Sequence, residues 1–138
     1  MSLNWIGLVA ALATFFGVWI GHVTVRKIDY ISQTVWLPAS LAFILGISLE
    51  LGALYIENAY ISAALGILGI TVLWDSLEFW RQHHRVIRGH APANPDNPRH
   101  QHILAESSAA TTIDWLNRAP SGRQLLADEL HNIIEAER

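Results

Sequence analysis

Three apolar segments, each long enough to cross a lipid bilayer, constrain the fold of this chain more than any other feature. They are residues 3–25, 35–56 and 59–77. A helix needs about 20 mostly apolar residues to cross a hydrocarbon core of roughly 30 Å, and each segment has about that length. The sequence therefore predicts an all-α integral membrane protein with three transmembrane helices.

Charged residues concentrate after these segments. Only seven precede Arg81, and the other fourteen lie from Arg81 onward. No glycine or proline interrupts the chain between the third span and Gly89, so the third helix is expected to continue beyond the membrane to residue 89. We therefore divide the chain into a three-span membrane domain (1–90), a non-helical spacer rich in proline and asparagine (91–100) and a short helical tail (101–138).

Basic residues are distributed unevenly around the spans. The N-terminus and the second loop have none, whereas the first loop and the segment after the third span carry Arg26, Lys27, Arg81, Arg85 and Arg88. Because loops rich in Lys and Arg stay in the cytoplasm, we expect the N-terminus outside and the C-terminus in the cytoplasm.

Composition argues against several functions. The net charge is −3 and no dense basic cluster occurs, so no nucleic-acid partner is expected. The chain has no cysteine, which excludes disulfides and thiolate metal sites. We recognise no nucleophile–base pair, phosphate loop or metal-ligand constellation. The sequence thus predicts neither an enzyme nor a cofactor.

A polar stripe runs along the end of the third helix. Asp75, Glu78, Gln82 and Arg85 fall on one helical face. Such a face is expected to point toward protein or water, because lone charges in lipid are costly.

His22 is expected to lie at the depth of this stripe. At about 1.5 Å per residue, His22 lies about 26 Å from Trp5 and Asp75 about 22 Å from Tyr60. We therefore expect His22 to meet Asp75 or Glu78. Such a cluster is either a hydrogen-bond network that locks the first helix to the third or an ionisable functional site.

Small residues recur at four-residue spacing in all three spans and predict helix contacts, within the chain or between chains. They are Gly17, Gly21, Ser48, Gly52, Ser62 and Gly66.

Glu50 is a charged residue within the second span. It lies about 21 Å from Trp36 along that helix, in the outer third of the bilayer. It is either an intramembrane proton or cation site in an oligomer or a carboxylate that reaches the membrane surface or pairs near it.

The tail predicts two short helices, of which the first covers residues 111–118. Neither can bury its apolar face alone, so we expect the tail to dock on a partner protein, a second copy or the membrane-proximal helix. The residues expected to dock are Trp115, Leu126, Leu130, Ile133 and Ile134.

The polar positions together resemble a known family. The resemblance rests on His22-Val23-Thr24-Val25, Asp29-Tyr30, Trp36, Trp74, Glu78, Gln82, Arg85-Val86, Gly89, Pro92, Asn94-Pro95 and Arg99. This pattern over residues 4–99 is similar to the small bacterial membrane proteins grouped as domain of unknown function 4491. The resemblance implies three spans without an assigned activity, and a shared role at His22, Tyr30, Glu78, Gln82, Arg85, Gly89 and Pro92. The tail after Arg99 looks like an addition.

These observations favour a non-catalytic multi-pass protein of the bacterial inner membrane, either an accessory or assembly subunit or a self-associating scaffold. The expected partners are membrane lipid, further copies or another membrane subunit, and a cytoplasmic protein bound by the tail. One alternative is a small oligomeric proton- or cation-coupled transporter, and a second is a quinone- or haem-binding subunit.

Overall fold

Four helices make up the described part of the chain. The computed structural model describes residues 3–114, with helices α1 (Trp5–Ile31), α2 (Trp36–Tyr55), α3 (Ala59–Ile87) and α4 (Pro98–Glu106). The first three are long and apolar enough to cross a membrane. No strand occurs between residues 3 and 114. The expectation of an all-helical chain with three candidate spans is confirmed.

Asparagine side chains begin two of the long helices. The Asn4 side chain accepts a hydrogen bond from the Gly7 amide at 3.3 Å. The Asn58 side chain accepts from the amides of Tyr60 and Ile61 at 3.0 and 3.2 Å. These bonds satisfy amides that a helix start leaves unpaired. Because the Asn58 cap follows closely on the end of α2, α2 and α3 form an antiparallel hairpin.

The first helix extends beyond the segment expected to span the membrane. It continues through the charged residues Arg26, Lys27 and Asp29 and ends at Ile31, whereas the apolar segment ends at residue 25. Charged side chains are compatible with a helix outside the hydrocarbon core. The first loop is therefore only residues 32–35.

The third helix is central to the bundle, because it packs against both α1 and α2. All three long helices meet in one apolar cluster at the end where α3 leaves the expected span. The cluster consists of Val25, Val35, Ala39 and Phe79. We call this the cap end of the bundle, because residues 88–114 pack on it.

A glycine ends α3. The Gly89 amide donates to the Val86 carbonyl and the His90 amide to the Arg85 carbonyl, at 3.1 and 2.8 Å. Gly89 has a φ of +72°. This is the Schellman arrangement, in which the residue after the helix adopts the left-handed conformation that glycine tolerates best.

Residues 88–114 form a small ordered unit, which we call the cap. Its buried apolar residues pack on Val86 in the last turn of α3. They are Ala91, Ala93 and Ile103. The Ala93 amide donates to the Thr111 carbonyl at 2.8 Å. The Ser107 hydroxyl donates to the Ile87 carbonyl at 2.8 Å. The two ends of the cap are thus tied to each other and the cap is tied to α3.

The cap differs from the expected spacer and tail. Helix α4 begins at Pro98, inside the segment expected to be non-helical, because Asn97 caps it and proline fits the first helical position. Residues 111–114 are not helical, so the expected helix over 111–118 does not begin there. Residues 115–118 and all five expected docking residues of the tail lie outside the described residues.

Replacing Gly89 by alanine should destabilise the cap. A Cβ at this position would lie 2.1 Å from the Ala109 carbonyl oxygen, and a left-handed non-glycine residue costs about 1–2 kcal/mol besides. We expect Gly89→Ala to lower the thermal unfolding temperature of the purified protein. Gly52→Ala is the matched control, because a Cβ at Gly52 meets nothing within 4 Å and alanine favours a helix. Equal unfolding temperatures for the two variants would contradict this account of the helix end.

Candidate functional site

A buried ion pair joins α1 to α4 at the cap end. The Arg99 guanidinium donates to the Asp29 carboxylate at 2.8 Å and to the Asp29 carbonyl at 2.7 Å. The side chains of Asp29 and Arg99 are only 2% and 11% exposed. Because an isolated buried charge is costly, each of these residues depends on the other.

Two histidines complete the surroundings of Arg99. The guanidinium donates to Nδ1 of His83 at 2.9 Å, because arginine can only donate. His100 is fully buried, and its Nδ1 accepts a hydrogen bond from the Asn94 amide at 2.9 Å. Nε2 of His100 lies 2.9 Å from the Arg99 guanidinium and 3.6 Å from the Asp29 carboxylate. Both histidine rings thus lie directly against the Arg99 guanidinium.

The cap also binds the carbonyl groups at the end of α1. The Asn94 side chain donates to the Tyr30 carbonyl at 3.0 Å. The Asn97 side chain donates to the carbonyls of Tyr30 and Ser32 at 3.1 and 2.9 Å. A helix leaves its last carbonyls without partners, and a cation beside them is favourable. Asn94, Asn97 and Arg99 together therefore complete the C-terminus of α1.

Sequence reasoning did not assign this cluster. Asp29, Asn94 and Arg99 entered only through the family resemblance, and Asn97 and His100 were not singled out. One local signal was available, since Asn97-Pro98 is a typical helix start. The pairing itself joins residues 70 positions apart, and no local pattern reports such a contact.

The polar stripe of α3 faces the protein interior. Asp75, Glu78 and Gln82 are 9%, 3% and 4% exposed. Glu78 pairs with Arg85 and lies 3.5 Å from Arg81. Arg85 also donates to the Gln82 side chain at 3.2 Å. Glu78, Gln82 and Arg85 thus form a network within one helix.

His22 does not join this network. Its Nδ1 donates to the Val18 carbonyl at 2.9 Å, within α1. The residue that α1 presents to Asp75 is Gly21, where a Cβ would lie 2.5 Å from the carboxylate. No hydrogen bond or ion pair connects His22 with Asp75 or Glu78. The structure therefore does not show the expected lock between these side chains.

A cavity of about 670 Å³ lies beside the cap end of α1. Its lining includes two expected site residues, Tyr30 and Gln82, together with Arg26 and Lys27. Arg26 lies 3.6 Å from Asp114. The cavity therefore brings Tyr30 and Gln82 to one surface, although Tyr30 itself makes its hydrogen bonds through its carbonyl.

Glu50 lies at the contact between α2 and α3. A Cβ at Gly69 would lie 2.9 Å from the Glu50 carboxylate, and one at Gly66 would lie 3.8 Å from it. Among the described residues Glu50 has no hydrogen bond or ion pair. The carboxylate is thus packed against glycines of the neighbouring helix.

The small residues divide between two environments. Gly17 and Gly21 lie against α3, and the Ser62 hydroxyl donates to the Ala53 carbonyl of α2 at 2.9 Å. Ser48 is exposed and bonds within its own helix. A Cβ at Gly52 would meet nothing within 4 Å.

Two further glycines make the closest approach of α2 to α3. A Cβ at Gly46 would lie 2.6 Å from the Leu73 side chain and 3.0 Å from the Gly69 carbonyl. Gly46 and Gly69, which the sequence pattern did not assign, thus belong to the contact between α2 and α3.

Residues 3–114 contain no group of three or more histidine, cysteine, aspartate or glutamate side chains placed to hold a metal ion. Asp29, His83 and His100 do lie close together, but the Arg99 guanidinium lies between them and contacts all three side chains.

These features define an all-helical protein with three candidate membrane spans and a small cap. Residues 4–97 match the family "Domain of unknown function (DUF4491)". The match covers more than half of the chain, so the chain belongs to this family, as the polar pattern predicted. It ends at Asn97, one residue before α4. Neither the curated proteins nor the solved structures compared with the chain contain a match.

Removing the arginine of the buried pair should strongly destabilise the protein. Arg99→Met leaves the Asp29 carboxylate buried without a cation, which costs about 3–5 kcal/mol. The measurement is the free energy of unfolding in mild detergent. Arg88→Met removes the same charge at an exposed residue and should have little effect.

A double variant tests whether the two residues act together. Asp29→Asn removes the charge that Arg99→Met leaves unpaired, so the loss for both changes should be smaller than the sum of the single losses. Strictly additive losses would show that the pair is not coupled.

Proposed function

We propose that this protein is a non-catalytic multi-pass membrane protein that serves as an accessory or assembly subunit or as a self-associating scaffold of a membrane complex. The observation that supports this is the cap. Its most buried polar side chains bind one another and the end carbonyls of α1, so their chemistry is used to hold a fixed surface at the end of the bundle.

The apolar surface of the bundle suits a lipid partner. Most large apolar side chains of α1 and α2 are exposed, including Phe15, Trp19 and Phe43 at 63%, 58% and 54%. A soluble protein rarely exposes so much contiguous apolar surface, whereas lipid covers it at no cost. The spans thus anchor the protein, and the cap is the part available to a protein partner.

Asp114, the last described residue of the cap, lies beside the first helix. Asp114 lies 3.6 Å from Arg26 of α1, so the chain continues from a point close to the cap end of the bundle. The sequence after it carries an apolar stripe at helical spacing that includes Leu130 and Ile134. We infer that this stripe binds a partner next to the membrane, either a second copy or a subunit of the same complex.

The location we propose is the inner membrane of a bacterium, with the cap in the cytoplasm. Basic residues support this orientation, because Arg26, Lys27, Arg81, Arg85 and Arg88 all belong to the cap end of α1 and α3, and the loop between α2 and α3 has none.

Single-cysteine labelling tests the orientation. The wild-type chain has no cysteine, so no native cysteine has to be removed first. Glu57→Cys in the loop between α2 and α3 and Ser108→Cys in the cap both change exposed residues. A membrane-impermeant maleimide should label position 57 in intact spheroplasts and position 108 only after permeabilisation. The reverse pattern would overturn the proposed topology.

Affinity purification in mild detergent, with mass measurement, tests the subunit or scaffold role. The wild type should carry a stoichiometric partner or form an oligomer. Leu130→Asp should lose this association, because it places a charge on the apolar stripe, and should leave membrane insertion intact. Asn132→Asp is the matched control, since at helical spacing residue 132 lies on the side opposite residue 130. A monodisperse wild-type monomer without a partner would contradict the proposal.

A further inference from the structure

An apolar groove lies between α1 and α2, with α3 as its floor. Its volume is about 470 Å³, within the range of sites that bind small molecules. The walls come from Ile20 and Thr24 of α1 and from Leu41 and Leu45 of α2, and the floor from Leu68 and Phe79 of α3. Leu41 and Leu45 are 59% and 53% exposed, so the groove opens to the surrounding lipid.

One acidic side chain, Asp75, lines this groove. The residue is only 9% exposed, because Gly21 of α1 lies directly against its carboxylate. No hydrogen bond or ion pair connects the Asp75 carboxylate with any residue between 3 and 114. The groove thus contains a buried carboxylate whose hydrogen-bonding capacity is not used.

The other buried carboxylates at this end of the bundle have cations. Asp29 pairs with Arg99, and Glu78 pairs with Arg85. His22 and Glu78 lie within electrostatic range of Asp75, but His22 forms no ion pair with the Asp75 carboxylate and Glu78 has the same charge as Asp75. Of these three buried acids, only Asp75 has no ion pair, and it is the one that lines the groove.

We propose that this groove binds a lipophilic organic cation, whose apolar groups lie between α1 and α2 and whose charge lies near Asp75. The apolar walls complement the body of such a molecule, and the carboxylate supplies the opposite charge that a buried acid requires. A neutral lipid chain would fill the walls and leave the carboxylate unpaired.

Binding of tetraphenylphosphonium to the protein in phosphatidylcholine nanodiscs tests this proposal. Empty nanodiscs give the partition of the probe into lipid, which is subtracted. We expect saturable binding of one cation per chain. Tetraphenylborate is the matched probe, because it has nearly the same size and shape and the opposite charge, and it should show no saturable binding.

Two variants locate the site. Asp75→Asn should weaken tetraphenylphosphonium binding about tenfold or more, through the loss of one charge contact, and should fold normally because Asp75 has no partner to lose. Glu50→Gln makes the same chemical change within a span but outside the groove, and should leave the affinity unchanged. Thr24→Trp fills the groove from an exposed position and should reduce binding while keeping the carboxylate.

The proposal would be overturned by any of three results. They are no saturable binding of the cation, equal binding of the borate anion, and an unchanged affinity in either Asp75→Asn or Thr24→Trp. A groove already filled by a helix of another chain would give the first of these.

Discussion

The buried pair of Asp29 and Arg99 is the interaction on which the cap end of this protein depends. The Arg99 guanidinium binds the Asp29 side chain, the Asp29 carbonyl and His83 of α3 at once. One side chain of α4 thus fixes both α1 and α3. Because the pair is nearly excluded from water, its cost of desolvation is recovered only when all of these groups are in place. The cap and the bundle must therefore be ordered together.

The bundle itself follows from the two faces that α3 offers. Gly17 and Gly21 let α1 approach one face, and Gly46 and Gly69 let α2 approach the other. Because the two neighbours use different faces, they meet mainly at the apolar cluster of the cap end and leave a groove elsewhere. A carboxylate packs against glycine at each of these two contacts, Asp75 at the first and Glu50 at the second.

Much of the fold could be predicted from the sequence, because its determinants are local. The span lengths depend on runs of apolar residues. The hairpin of α2 and α3 depends on the short loop between them, and the end of α3 depends on the turn at Gly89. The buried face of α3 was also predictable, since Asp75, Glu78 and Gln82 share one helical side. Helix α4 was not predicted, because the prolines around it outweighed the Asn97-Pro98 start signal.

The contacts of the candidate site were less accessible. Counting residues gives the depth of His22 and Asp75 but not the rotation of each helix about its axis, and that rotation presents Gly21 to Asp75. The Asp29–Arg99 pair requires the chain to reverse at Gly89 and to return to the end of α1, which no local pattern encodes.

The completion of α1 by the cap has a consequence for the order of events during translation. The helix is synthesised first, but the amide and guanidinium groups that bind its last carbonyls belong to Asn94, Asn97 and Arg99. They leave the ribosome only after α2 and α3. Until then Asp29 has no arginine and the final turn of α1 has no donors from the cap. The first helix to be made is thus the last to acquire its native end, and a nascent chain that stops after α3 lacks the donors that complete that end.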